Sequence, residues 1–169
     1  MDGGFAVAFL VASLFEMTTN HCGTAAGCVG AADTPARLAF SAGQVWYQED
    51  QIGQEVYLRY DLGTRYGPFQ PIMGVSVTDS RDVWAGAGAA WTGEAGQFYA
   101  QLHLMVGLYG QGAGPDLGHV VEFRSGAEVG YAFDNDWRLG LSFDHRSNGD
   151  VVATNPGLET VQLRILRPF

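Results

Sequence analysis

Three residues near the C-terminus have the types that acyl-transfer chemistry uses: a hydroxyl at Ser147, an imidazole at His145 and a carboxylate at Glu159. They lie in the stretch FDHRSNGDVVATNPGLETVQLRILRPF, residues 143–169. Trp137, Leu139, Leu141, Phe143, His145 and Ser147 alternate along one strand face, and Glu159, Val161, Leu163 and Ile165 along another. If His145 lies directly across from Glu159, their Cβ atoms come within about 5 Å, close enough for a hydrogen bond. Ser147 then sits two residues along the same face, beside the imidazole. The arrangement reads as nucleophile, base and orienting acid for attack on an ester. The plainer reading, polar residues at the point where a strand leaves an apolar layer, fits the same periodicity.

Such a site needs strands to carry it. From Arg37 onward the chain alternates in the two-residue rhythm of strands, broken by Gly, Asp, Asn and Pro. Strands are predicted over 37–46, 54–62, 68–77, 82–92, 96–109, 119–133, 136–147 and 158–169. Short turns are expected at Thr92–Ala95 and Asp134–Asp136, and longer connections at Tyr47–Gly53, Gly110–Gly118 and Asn148–Gly157. Phe98, Ala100, Leu102, Leu104, Val106 and Leu108 share one face of the fifth strand, against Tyr99, Gln101, His103 and Met105. The sixth sets Val121, Phe123, Ala127 and Val129 against Glu122, Arg124 and Glu128. Apolar faces of about 20 Å, at ~3.3 Å per residue, match a lipid band. Aromatic residues cluster near strand ends (Trp46, Tyr47, Trp91, Tyr109, Phe133, Trp137), as an interfacial girdle requires, and the last strand ends on Phe169. The predicted fold is all-β: an eight-stranded antiparallel transmembrane β-barrel of the outer-membrane type, with Leu102, Leu104, Phe123, Leu141 and Leu163 outside.

The length of 169 residues suits one domain, taken as residues 32–169 after a leader over 1–31. That leader contains an apolar run, Phe5–Phe15, and a small-residue cleavage site at Val29-Gly30-Ala31, although Asp2 stands where a basic residue is usual. Cys22 and Cys28 lie within it and are removed with it, or close a small disulfide loop. The net charge of −9 argues against nucleic acid as a partner. All basic residues are arginines, which reflects codon usage or a grip on phosphate; Arg81 and Arg146 are the candidates for the latter. Gly86 and Gly88 do not follow a nucleotide-loop spacing and are read as close-packing positions.

His145-Arg146-Ser147-Asn148, followed by Asn155-Pro156-Gly157-Leu158-Glu159 and a terminal strand, resembles the C-terminal signature of the lipid A 3-O-deacylase (PagL) family. There a His-x-Ser-Asn segment precedes Asn-x-Gly-x-Glu at the same serine-to-glutamate separation. The resemblance implies an outer-membrane esterase that removes the 3-hydroxyacyl chain at position 3 of lipid A, in the outer leaflet, without metal or cofactor. It implies Ser147 as nucleophile, His145 as base and Glu159 as the acid. Asn148 and the Gly149 turn then serve the oxyanion, while Asn155 and Gly157 shape the loop that delivers Glu159. The partners implied are lipopolysaccharide and the outer membrane; oligomeric state stays open, a homodimer included. The alternative class is a non-enzymatic small barrel with a structural or adhesion role.

Overall fold

In the computed structural model, which describes residues 3–169, the chain forms ten strands and one α-helix. The helix α1 is Gly4–Glu16, followed by a π-helical turn, Met17–His21. The strands are β1 (Ala31–Asp33), β2 (Arg37–Tyr47), β3 (Asp50–Asp61), β4 (Thr64–Tyr66), β5 (Gln70–Thr78), β6 (Val83–Ala95), β7 (Phe98–Gly110), β8 (Val121–Ala132), β9 (Arg138–Ser147) and β10 (Leu158–Pro168). Eight of them close into a barrel in the order β10-β2-β3-β5-β6-β7-β8-β9, every pair antiparallel. The short strands β1 and β4 pair with each other outside it. Met1 and Asp2, where the expected leader begins, lie outside the described residues.

Alternation decides what the wall meets. Phe123, Leu141 and Leu163 point outward and are exposed, as the sequence predicts. Leu102 and Leu104 belong to the same outer wall but are half-buried, on strand β7, against which α1 packs. The opposite face is the lumen, and it is filled. Arg124 donates to Glu55 at 2.8 Å and to Asp144 at 2.6 Å, and its guanidinium lies 4.0 Å from the Tyr57 ring centre. Arg164 donates to Glu128 at 2.5 Å, and Arg59 to Asp61 at 2.7 Å. Pairing is what permits charge at this depth, since a lone buried ion costs several kcal/mol. A soluble barrel with its polar face in water is therefore excluded. The glycines of β6 also find their reason here: a Cβ at Gly86 would lie 2.6 Å from the Trp84 indole, as would one at Gly107 across the ladder.

Two connections differ from expectation. The loop expected over 47–53 is a two-residue turn, because Gln48 (φ 49°) and Glu49 (φ 75°) both adopt left-handed backbone. Such turns usually announce themselves by Asn-Gly or Asp-Gly, which Gln48-Glu49 is not. The turn expected at Thr92–Ala95 is strand, and the reversal falls on Gly96-Gln97, with Gly96 at φ 62°. The turn at 134–136 and the longer connections at 111–120 and 148–157 stand where predicted. The two longest connections, 111–120 and 148–157, lie at one end of the barrel, beside the short turns at 48–49 and 79–82.

Candidate active site

The β9–β10 hairpin builds the site. Its register pairs His145 with Glu159, and the two side chains meet: imidazole Nδ1 is 3.1 Å from Glu159 Oε1. Both are on the outer wall, because their neighbours Asp144 and Arg146 bond inside the lumen. His145 is nonetheless only 5% exposed. Gly157 explains part of that cover. It sits at φ +72°, and a Cβ there would lie 3.0 Å from the imidazole Cε1, so the backbone of the 148–157 loop closes directly over the ring. Asn155 locks that loop by accepting a hydrogen bond from the Asn148 backbone N–H at 3.0 Å and donating to Asp150 at 2.9 Å.

Ser147 shares the face of His145 and is half-buried, paired with Phe123 on β8. Among the described residues its hydroxyl makes no hydrogen bond. The other expected site residues divide. Asn148 is fully buried, and its amide N–H groups donate to Leu117 O at 3.0 Å and Thr154 O at 2.7 Å. Its side chain ties two loops together and is already spent as a donor, which takes the side-chain oxyanion role away from it. Gly149 adopts φ +65° and is exposed.

Neither arginine expected at a phosphate is placed for it. Arg146 points into the lumen, 2% exposed, and donates to Glu55 at 2.5 Å. The reason is parity: if His145 and Ser147 face lipid, the residue between them cannot. Arg81 is exposed at φ 66° on the loop between β5 and β6, which lies on the side of the barrel opposite the β9–β10 pair.

Two contributions were not legible in the sequence. The row through His145 continues to Ser125 on β8 in one direction, and through Glu159 to Trp46 on β2 in the other. Ser125 interrupts an otherwise apolar face, a signal the alternation pattern does carry; the register that brings it to His145 is not in the sequence. Beside Glu159 a groove of about 540 Å³ runs along the outer wall, lined by Trp46, Gln48, Glu49, Phe143, Pro156, Glu159 and Val161. Among the described residues no group of His, Cys, Asp and Glu side chains is arranged to hold a metal ion.

A lumen packed with ion pairs and an outer wall of apolar side chains place the chain among the small outer-membrane-type β-barrels. On that wall the imidazole of His145 meets the carboxylate of Glu159. The chain belongs to the lipid A 3-O-deacylase (PagL) family, whose model matches residues 33–167. It is 30% identical over 81 residues to the lipid A deacylase PagL of Bordetella bronchiseptica, a stretch covering 47% of this chain and 44% of that protein. The match therefore spans less than half of that relative's length. In fold the chain is similar to a crystal structure of the outer membrane enzyme PagL, with TM-score 0.60 at 14% identity, covering 79% of this chain and 99% of that one. A de novo designed transmembrane β-barrel is similar to the same degree, TM-score 0.60 at 9% identity, covering 82% of this chain and 98% of the design.

Proposed function

We propose that this protein is an outer-membrane serine esterase that removes the ester-linked 3-hydroxyacyl chain at position 3 of lipid A, working from the outer leaflet. The observation that carries this reading is the 3.1 Å contact between His145 and Glu159 on the lipid-facing wall, with Ser147 on the same face. A non-enzymatic barrel has no use for an ionisable pair on a surface where such groups are costly.

Glu159 holds the Nδ1–H tautomer and leaves Nε2 unprotonated as the base. The Ser147 hydroxyl passes its proton to Nε2 as its oxygen bonds to the ester carbonyl carbon. The backbone N–H of the Gly149 turn donates to the resulting oxyanion. Collapse expels the sugar oxygen, which takes the proton from Nε2. Water then repeats the sequence on the acyl-serine and releases the fatty acid. The groove beside Glu159 accommodates the acyl chain, with Phe143, Val161 and Trp46 against its methylenes. The homodimer left open by the sequence gains no support from the related proteins.

The test is incubation of the purified protein with lipid A in detergent micelles, followed by mass spectrometry. Loss of one hydroxyacyl chain from the lipid, absent with Ser147→Ala, supports the reading. Intact lipid A under conditions where the barrel is folded, or full activity in Ser147→Ala, overturns it. We assign residues 1–31, with the Cys22–Cys28 disulfide they contain, as an export leader. The N-terminal sequence of the protein recovered from outer membranes checks that assignment, and a mature chain beginning before Cys22 refutes it.

A further inference from the structure

The imidazole of His145 has two flanks, and the proposed triad uses one of them fully. Nδ1 faces Glu159 on β10. Gly157 covers Cε1 end-on, since a Cβ there would stand 3.8 Å from Nδ1 and 3.8 Å from Nε2. With Cε1 covered and Nδ1 turned to β10, the Nε2 edge is turned away from β10, toward the loop end of β9 and toward β8. The residue directly across the ladder on β8 is Ser125. Residues so paired hold their Cβ atoms about 4.5–5.5 Å apart. Ser125 belongs to the outer wall of β8, between the apolar Phe123 and Ala127. A hydroxyl in that position, on a wall where its neighbours are apolar, has His145 as its cross-strand polar neighbour. Among the described residues the hydroxyl makes no hydrogen bond, so the rotor is uncommitted.

We infer that Ser125 is a positioning residue for His145, holding its Nε2 edge from the flank opposite Glu159. This rests on the proposed esterase reading. Before reaction the Ser125 hydroxyl donates to Nε2 when Ser147 does not, which keeps the ring in the plane that serves both partners. Once the Ser147 proton has moved to Nε2, the Ser125 oxygen accepts a share of that Nε2–H bond. The proton then passes to the departing sugar oxygen, and Ser125 is left as it began. Glu159 and Ser125 together pin the ring from both sides, which a side chain on a lipid-facing strand otherwise gets from packing alone.

The experiment compares kcat and KM for the wild-type full chain, Ser125→Ala, Ser125→Thr and Ser147→Ala in detergent micelles. Ser125→Ala is expected to lower kcat about tenfold with KM unchanged, the order one hydrogen bond commands. Ser125→Thr keeps the hydroxyl and should restore kcat. Wild-type kcat in Ser125→Ala would overturn the inference while leaving the triad standing. So would covalent capture of Ser125, instead of Ser147, by an alkylphosphonate ester probe, since Ser125 would then be the nucleophile. Activity surviving in Ser147→Ala points instead to failure of the underlying esterase reading. Should Ser125→Ala fail to insert as a barrel, Ser125→Cys, of similar volume but a poorer acceptor, takes its place with the same expected outcome.

Discussion

Glu159 stands directly across the β9–β10 ladder from His145, and its Oε1 reaches the imidazole Nδ1 at 3.1 Å without either residue leaving the outer wall. A strand pair achieves this contact with no loop to position either group. The carboxylate is the more exposed of the two, so water or lipid headgroups reach the acid while the base stays covered. That asymmetry suits a site in which the base must keep one tautomer at a membrane boundary.

Removal of the nucleophile or the base should abolish deacylation and leave the barrel intact, since neither side chain contributes to the lumen. Glu159→Gln should retain more activity than Ser147→Ala or His145→Ala, because the orienting acid costs less than its partners when lost. Turnover of lipid A by the three variants, with heat-modifiable gel mobility as the folding control, measures this. Equal loss in all three would argue that Glu159 does more than orient.

Gly157 offers a test that leaves every polar group in place. An alanine there is strained by the left-handed backbone and presses its Cβ to 3.0 Å from the ring carbon. Gly157→Ala should therefore displace the imidazole and lower kcat by about 10²-fold, the order expected when a reacting group is misplaced by an ångström. A variant with unchanged turnover would mean that the loop moves aside freely.

Asn148→Ala has a different expected signature. Its amide joins the 148–157 loop to the carbonyl of Leu117, so its removal leaves buried carbonyls without donors at a cost of about 1–3 kcal/mol. Hydrogen exchange should quicken in the 111–120 and 148–157 loops together. A fall in turnover with unchanged exchange would restore the side chain to a direct part in catalysis.

The lumen supplies a stability prediction. Glu55 accepts from Arg124, Arg146 and Gln162 at 2.8, 2.5 and 2.7 Å. Glu55→Leu strips Arg146 of its carboxylate partner and leaves Arg124 with Asp144 alone, and should destabilise the barrel by about 3–5 kcal/mol. Denaturant unfolding in micelles reads that loss. Arg146→Met, with Glu55 still paired to Arg124, should cost less, and the ordering of the two variants is the check.

The groove beside Glu159 predicts chain-length selectivity. Val161→Trp, pointing outward next to Phe143, should fill the space and raise KM for long acyl chains more than for short ones. Identical selectivity in the variant would place the acyl chain elsewhere on the wall.

Much of this was present in the chain before folding. The outer and inner faces of β7, β8 and β10 follow from a period of two residues, which needs no tertiary information because successive side chains on a strand must alternate. The same parity put His145 and Ser147 on one face, and it also implied that Arg146 lies inside, a consequence the charge of the residue obscured. Turn positions were less legible. Gln48-Glu49 reverses the chain with left-handed backbone at residues that carry no local signal for it, so the pairing of β2 with β3 imposes the turn. Register and closure came from the tertiary structure alone. Which residue of β8 lies across from His145 depends on the stagger of the whole barrel, so Ser125 could not be assigned from its own strand. Arg81 shows the same limit from the other side: the sequence placed it at the loop end, but only the circular order of strands put it across the barrel from the site. Local alternation is a property of each strand, whereas neighbourhood around a closed wall is a property of all eight, and the site is made of neighbours.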